Sequence, residues 1–546
     1  MRFDKRFCAR IAVTAGLAAA SVSVFGLTPV HAQTTPAAPA ATQQGQVRRL
    51  SIDDAVATAL EQNLDLQVQR INPELQALTI SQFRAAYTPN FVSQISTSDN
   101  TQPSTSILEG GAANTGITSG NSVFNFGVAS LTNWYGGSYD VRFNNTRTTT
   151  TNLLQSFSPQ LNNVLSASYS QPLLRNFKID GARQQLLVSQ KNKEITDTQL
   201  KQSITQTTRN VRNAYYDLIY AIGNLAVQRQ SLQLSQQSLR DNRARVEIGT
   251  MAPLDIVQAE AEVARGEEAV IIAEAAIERQ QDTLRTLIYN PASPDFWTAR
   301  IEPTDTMTFV PTKVDVDAAV KTALTERTDL QNARKNIEIN DVNIRYFRNQ
   351  SLPDVTASLN YNARAIGGLQ VRRAPDPNNS GLPTGEIISS SERTYLETLR
   401  TTLSGDFPGW NVQFNVAYPI GQSSQEAQLA RARLQHTQSE RQIASLELAI
   451  TTQVRDAGRN VQTNARRVQA TRSSREFAER RLEAEEKRYQ AGLTQNFFVL
   501  QAQRDLSVAR NNELLALVQY AQSVVNFQAV QQAPLAGGGF AIQQQQ

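Results

Sequence analysis

From Ile204 onward the apolar residues fall at an unbroken seven-residue spacing: Ile204, Val211, Leu218, Leu225, Leu232, Leu239 and Val246, with Tyr215 and Ile222 filling the second seam position over part of that length. A sustained repeat of this kind marks an underwound helix that coils left-handed around its neighbours. Counted from about Arg183 to Glu247, it predicts a helix of about 65 residues, roughly 100 Å long. Val454, Val461, Val468, Leu482 and Tyr489 repeat the pattern, interrupted by Arg475. The other positions are Gln, Asn, Ser, Arg and Glu, so these helices sit in water with a narrow apolar seam.

Elsewhere the period drops to two. Trp410 to Tyr418 alternates apolar with mostly polar residues, and Asp354 to Tyr361 and Ser138 to Asn145 are weaker versions, so all three are predicted strands. Asn162 to Gln171 runs into Pro172 as Asn411 to Tyr418 runs into Pro419, which marks Pro172 and Pro419 as strand-to-helix junctions. The stretches of about Asn100 to Tyr135 and Gly367 to Phe407 are rich in Gly, Ser, Thr, Asn and Pro and are expected to be loops. Within the first, Val123 to Ser130 is a candidate to pair with Ser138 to Asn145 as an extra hairpin outside any membrane.

The chain also contains itself twice. Ile52 to Gln67 aligns without a gap on Val316 to Gln331, 264 positions later, with nine of sixteen residues identical, among them Asp53/Asp317, Leu60/Leu324 and Gln67/Gln331. The register continues through Arg70/Arg334, Phe83/Phe347 and Pro89/Pro353. A second set, Val211-Arg212 with Val454-Arg455 and Gly249 with Gly492, matches 243 positions apart, so the first copy is 21 residues longer between the two blocks. Repeats of this size decide the fold before any single motif does. The expected division is 1–32 signal peptide, 33–48 disordered linker, 49–291 repeat one, 292–313 inter-repeat linker, 314–530 repeat two and 531–546 disordered tail.

Composition then narrows the chemistry. Arg2, Lys5, Arg6 and Arg10 precede an apolar run from Ile11 to Leu27 and a small-residue site ending at Ala32, the pattern of a secretory signal cleaved there. Cys8 precedes the apolar run, where a lipidated cysteine cannot lie, so the protein is expected not to be lipidated. Of 53 basic and 49 acidic residues the signal holds four and one, which leaves 49 against 48 and no basic excess for nucleic acid. One histidine, His436, and no cysteine remain, which excludes zinc sites and Cys- or His-based nucleophiles. His436 itself is expected to be an exposed helix residue. No apolar run after the signal is long enough for a spanning helix, so any membrane entry must use strands. If each copy contributes one strand pair, a chain has about four strands. An open four-stranded sheet leaves edges that lipid cannot satisfy, and three chains giving about twelve strands close the ring.

The stretches LSIDDAVATALEQNLDL from Leu50, SQPLLRNFKIDGAR across Pro172, RVEIGTMAPLDIVQAEAEVA across Gly249 and RYQAGLTQNFFVLQAQRDL across Gly492 together resemble the TolC-like outer-membrane efflux proteins, the outer membrane factors of tripartite efflux and type I secretion systems. The resemblance covers Leu50 to about Gln528. It implies a mixed α/β membrane protein: a homotrimer with a twelve-stranded β-barrel in outer-membrane lipid, continued by an α-helical coiled-coil barrel across the periplasm. It implies export through a duct whose tip docks on a periplasmic adaptor driven by an inner-membrane pump, with no cofactor, metal or catalytic residue. By position, the tip is Gly249, Thr250, Met251, Ala252 and Pro253 together with Gly492, Leu493, Thr494 and Gln495. Glycine supplies the left-handed cap of a sharp reversal and Pro253 suits the first turn of a helix. Asp255 and Tyr489 are gate candidates, expected to hydrogen-bond between neighbouring helix pairs; an ordinary solvated Asp and a seam Tyr are the alternative. Relatives place carboxylates just inside the second turn, where this chain has Phe498 and Gln501, so an apolar constriction is expected instead of an acidic ring. The competing class is a periplasmic coiled-coil adaptor or structural protein.

Overall fold

A computed structural model of the chain describes residues 47–103, 116–249, 252–293, 296–375, 383–421 and 423–532. The expected signal peptide, cleavage after Ala32 and most of both terminal segments lie outside them. Copy one runs β1 (Val47–Leu50), α1 (Ile52–Gln62), α2 (Leu64–Ala85), four strands β2 (Asn90–Pro103), β3 (Gly116–Leu131), β4 (Ser138–Thr150) and β5 (Phe157–Pro172), then α3 (Gly181–Glu247) and α4 (Pro253–Ile288). The short strand β6 (Arg300–Pro303) leads into copy two: α5 (Val316–Glu326), α6 (Thr328–Gln350), β7 (Asp354–Pro375), β8 (Pro383–Arg393), α7 (Tyr395–Ser404), β9 (Pro408–Ala417), α8 (Ser424–Gln490) and α9 (Asn496–Gln531). Both long helices have 67 residues and both returning helices 36, so the duplication is kept to the residue in the long hairpins. At 1.5 Å per residue each long helix is about 100 Å.

The heptad seam is the core where intrachain neighbours cover it. Val211, Tyr215 and Leu218 pack with Ala55, Val56 and Ala59 of α1 and with Leu284 and Ile288 of α4. In copy two Ile450 and Val454 pack with Ala319, Ala323 and Leu330 of α5 and α6. Tyr215 is fully buried, with its hydroxyl 2.9 Å from Leu50 O and 2.8 Å from Asp305 Oδ2, which fastens the inter-repeat segment to α3. Arg475, the break in the second heptad run, is an ion-pair hub: its guanidinium reaches Glu479 and, across the hairpin, Glu513.

Several expectations are corrected. Val47 and Arg48 are not linker but part of β1, which pairs in parallel with β6 inside the expected inter-repeat linker. Gln531 ends α9, and the Gln532 side chain accepts from Thr328 N, so the tail begins later than 531. His436 is only partly exposed, its Nε2 3.2 Å from Asp341 Oδ1. The count of about four strands fails: among the described residues one sheet holds seven, in the order β2-β3-β4-β5-β7-β8 with β9 also on β7. β7 has 22 residues, and β9 pairs along its first half while β8 pairs along its second, so the sheet is six strands wide. The expected loops hold β3, β8 and α7. Their Ser, Thr, Asn and Gly content is the polar face of strands, which composition alone cannot tell from a loop.

The pairing separates two faces. The row Phe91, Val128, Val141, Ala167, Tyr361 and Trp410 runs across all six strands and is apolar. The adjacent row of opposite parity, Asn90, Ala129, Asp140, Ser168, Asn360 and Asn411, is mainly polar. Paired residues share a face and successive residues alternate, so the sheet has one apolar side. None of the described helices is long and apolar enough to cross a membrane.

Candidate functional site

The end of the molecule away from the sheet is built by two helix reversals. Gly249 follows α3 with φ +77° and Gly492 follows α8 with φ +73°, both left-handed and both in open space. Ala252 caps α4 and Pro253 is its first residue; Gln495 caps α9. Gly249, Ala252, Pro253, Gly492, Leu493 and Gln495 are exposed and Thr494 is partly so. Thr250 and Met251 lie outside the described residues.

The two reversals are brought together by Tyr489. Its hydroxyl donates to Asn242 Oδ1 of α3 at 3.3 Å, and the Arg245 guanidinium lies over its ring, 4.5 Å from the centroid. Burial pushes the Tyr489 phenol above its ordinary value; the Asp255 and Asp241 charges add to the shift and Arg245 opposes it. Asp255, partly buried in the first turn of α4, is thus within electrostatic reach of Tyr489 in the same chain. Phe498 is 44% exposed with its ring 5.6 Å from that of Phe497, while Gln501 is partly buried.

Sequence reasoning missed Asn242, Arg245 and the Glu262–Arg504 pair, while Asn496 stood out only as a difference between the two copies. Asn242 and Asn496 are 1% and 3% exposed, and neither side-chain polar atom of Asn496 has a hydrogen-bond partner among the described residues. Arg504 of α9 grips Glu262 of α4 through Nε and Nη2, at 2.9 and 2.6 Å, a bidentate geometry that fixes orientation. Arg243–Glu260 and Arg481–Asp505 brace each hairpin internally. Copy two puts Asn496 at the first position of its helix, where copy one has Pro253.

At the opposite end of the long helices, Pro172 closes β5 and Leu173 N donates to Val355 O of β7 at 2.7 Å. Asn176 in this junction is tied to Asn349 and Gln350 at the end of α6. Pro419 follows β9, and Ser423 caps α8 by accepting from Glu426 N. The prolines suit places where a strand must stop donating to its ladder. Among the described residues no group of three or more His, Cys, Asp or Glu is arranged to hold a metal ion.

The family model described as "Outer membrane efflux protein" matches residues 55–288 and 319–530, one stretch for each copy. No curated protein matches the chain. Among solved structures the chain is similar to the CmeC outer membrane channel of Campylobacter jejuni, at 16% identity and TM-score 0.61 over 88% of this chain and 85% of that one. It is similar to the outer membrane protein VceC of Vibrio cholerae, at 15% identity and TM-score 0.60 over 88% and 96%. The open state of the MtrE outer membrane channel of Neisseria gonorrhoeae gives 15% identity and TM-score 0.59 over 93% and 98%.

Proposed function

The chain belongs to the outer membrane efflux protein family, and from that premise we propose that it is a passive exit duct for efflux or type I secretion. Three chains join through their sheet edges into one barrel in outer-membrane lipid, and their long helices continue it as a tunnel into the periplasm. The helix reversals at Gly249 to Pro253 and Gly492 to Gln495 dock on a periplasmic adaptor, which couples the duct to an inner-membrane pump. The duct performs no chemistry and needs no cofactor; the pump supplies energy and chooses cargo. The chain is exported by a signal cleaved after Ala32 and carries no lipid. Residues 49–291 and 314–530 are its two repeats, and Pro172 and Pro419 are the points where wall becomes tunnel.

One observation carries this reading: a sheet with one apolar side stands on helices far too long and polar for a globular core, and its edge strand β2 is exposed along its whole length. In lipid such an edge must be paired, because hydrocarbon offers its N–H and C=O groups nothing. The gate lies at the tip, where Tyr489 and Asp255 hold the helix pairs together and Phe498 with Gln501 narrow the opening with an apolar ring.

Planar-bilayer recording of the purified protein tests both levels. The parent is expected to conduct poorly, and Asp255→Ala with Tyr489→Phe to conduct several-fold more. Equal conductance would remove the gate assignment. Recovery of the protein from the soluble periplasm, with no conductance from any variant, would remove the duct.

A further inference from the structure

We infer that each chain contributes six membrane-spanning strands, so that the trimeric barrel has eighteen strands and not the twelve that the family resemblance implies. The inference rests on the trimer proposed above for its total, and on this chain alone for its six.

The hairpin β3–β4 is part of the wall. β2, β3, β4 and β5 pair in one continuous antiparallel register, without a bulge at any of the three seams. Each spanning strand, β9 included, has at least ten residues, and a tilted strand crosses a bilayer in about 9–11. The apolar row crosses β3 and β4 without interruption through Val128 and Val141, and Phe126 opposite Phe143 extends it by a second row. A hairpin standing outside the membrane would have no reason to present aromatic rings on the same side as Tyr361 and Trp410.

The other side of the hairpin is polar at the same height. Asn125 pairs with Asn144, and Arg142, two residues along, bonds Asp140 at 2.8 Å. Charges and amides on this side suit a water-filled lumen and are costly in lipid.

The lower end of the hairpin is also seated. Ser130 Oγ donates to Tyr87 O at the end of α2. In the connecting turn the Tyr135 ring stacks on Phe177 at 4.5 Å, and Gln171 Nε2 donates to Tyr135 O. Gly136 has φ +70°, and a Cβ there would meet Asn176 O, so the turn lies tight against the head of α3. The extra hairpin therefore stands on the junction of wall and tunnel, between the two strands that continue into helices. β8 adds no width, since it extends β7 beyond β9.

Barrel diameter grows roughly linearly with strand number, and barrels of 16–18 strands leave an aqueous channel. The barrel is then roughly one and a half times as wide as a twelve-stranded one, and it imposes no limit on cargo that has passed the tip.

Single cysteines in a Cys8→Ala background test this in outer-membrane vesicles. Val412→Cys and Asn411→Cys on β9 calibrate lipid-facing and lumen-facing behaviour. Phe126→Cys and Val141→Cys are expected to resist a charged maleimide and react with a lipid-soluble one, as Val412→Cys does; Asn125→Cys and Asn144→Cys should label with the charged reagent. Native mass spectrometry of the same preparations should give three chains. Charged-reagent labelling of Phe126→Cys and Val141→Cys as strong as that of Asn144→Cys would overturn the six-strand wall, whatever the mass. A mass other than three chains would overturn the eighteen together with the trimer, even with the labelling as expected.

Discussion

Arg212 and Asp53 are identical in kind to Arg455 and Asp317 because each pair performs the same contact. Both arginines reach their aspartate at 3.3 Å, one joining α3 to α1 and the other α8 to α5. These identities were visible in the sequence but not as a pair, because their two offsets differ and no spacing connects them. The tip was legible to the same degree: the glycines, Pro253 and Tyr489 stood out, whereas Asn242 and Arg245 reach Tyr489 from another helix and no local pattern marks them. Asp217 is a residue whose environment is costly. Burial raises its acid above the ordinary value, only partly offset by Gln522 Nε2 donating at 2.7 Å. The folded state therefore holds the proton to higher pH than the unfolded state does, and stability falls as pH rises from the ordinary carboxylate value to the raised one. Asp217→Asn keeps an oxygen for Gln522 and removes the charge. It is expected to melt higher than the parent at pH 7, with the difference closing below about pH 4, where both states carry the proton. Melting curves at the two pH values check this; a variant less stable at pH 7 would contradict it.

Why the duplication keeps particular side chains becomes plain at the scale of whole helices. α1 and α5 end in a sharp joint with the next helix, and the repeated glutamine and arginine close it. Gln67 Nε2 donates to Glu61 O and Gln331 Nε2 to Thr325 O, each at 3.3 Å. Arg70 donates to Leu60 O at 2.8 Å, whereas Arg334 stands 3.5 Å from Leu324 O. A cation on the last carbonyls of a helix satisfies an orphan acceptor and the helix dipole together. Arg70→Ala is thus expected to cost about 1 kcal/mol and Arg334→Ala clearly less, read from denaturant unfolding of the two variants. Equal losses would mean that the arginines act otherwise than through these carbonyls. The helices were legible because a seven-residue apolar seam has no competing explanation. The strands were legible in part: the period of two marked β4, β7 and β9, and β3 was a candidate hairpin partner, but β2 and β8 were missed because a strand with one polar face carries half its residues polar. In β3 the sequence GITSGNSVFNFGVASL holds three glycines and two asparagines among its apolar residues, and only the partner strand reveals which side each occupies. Copy one's extra length was seen, but that it holds the strands β3 and β4 was hidden in that composition.

For the molecule as a unit, the open question in the sheet is its two free flanks. β2 has fourteen residues, all exposed, and among the described residues it pairs with β3 on one side only, as β9 pairs with β7 alone. Each unsatisfied backbone group in hydrocarbon costs several kcal/mol, so the proposed trimer requires β9 of one copy to close on β2 of another. That requirement fixes an outcome on a gel. Gln94→Cys on β2, combined in turn with Asn411→Cys, Gln413→Cys and Asn415→Cys on β9, samples successive registers on the polar side of the seam. At least one combination should give, on oxidation, bands of two and three chains and none beyond, because a closed ring of three has no further edge to offer. Ladders beyond three would mean a larger or open assembly, and the absence of any cross-linked band would mean that the edges do not meet. The proposed ring would place selectivity at the tip. In that proposed trimer the wall would take six strands from each chain while the tunnel beneath would be set by helices from the same number of chains, so the passage would narrow away from the membrane. Widening the tip by Asp255→Ala and Tyr489→Phe should therefore raise conductance, whereas Asn144→Ala or Asn125→Ala on the lumen side of the wall should leave it within about twofold of the parent if the wall is as wide as a porin-sized barrel.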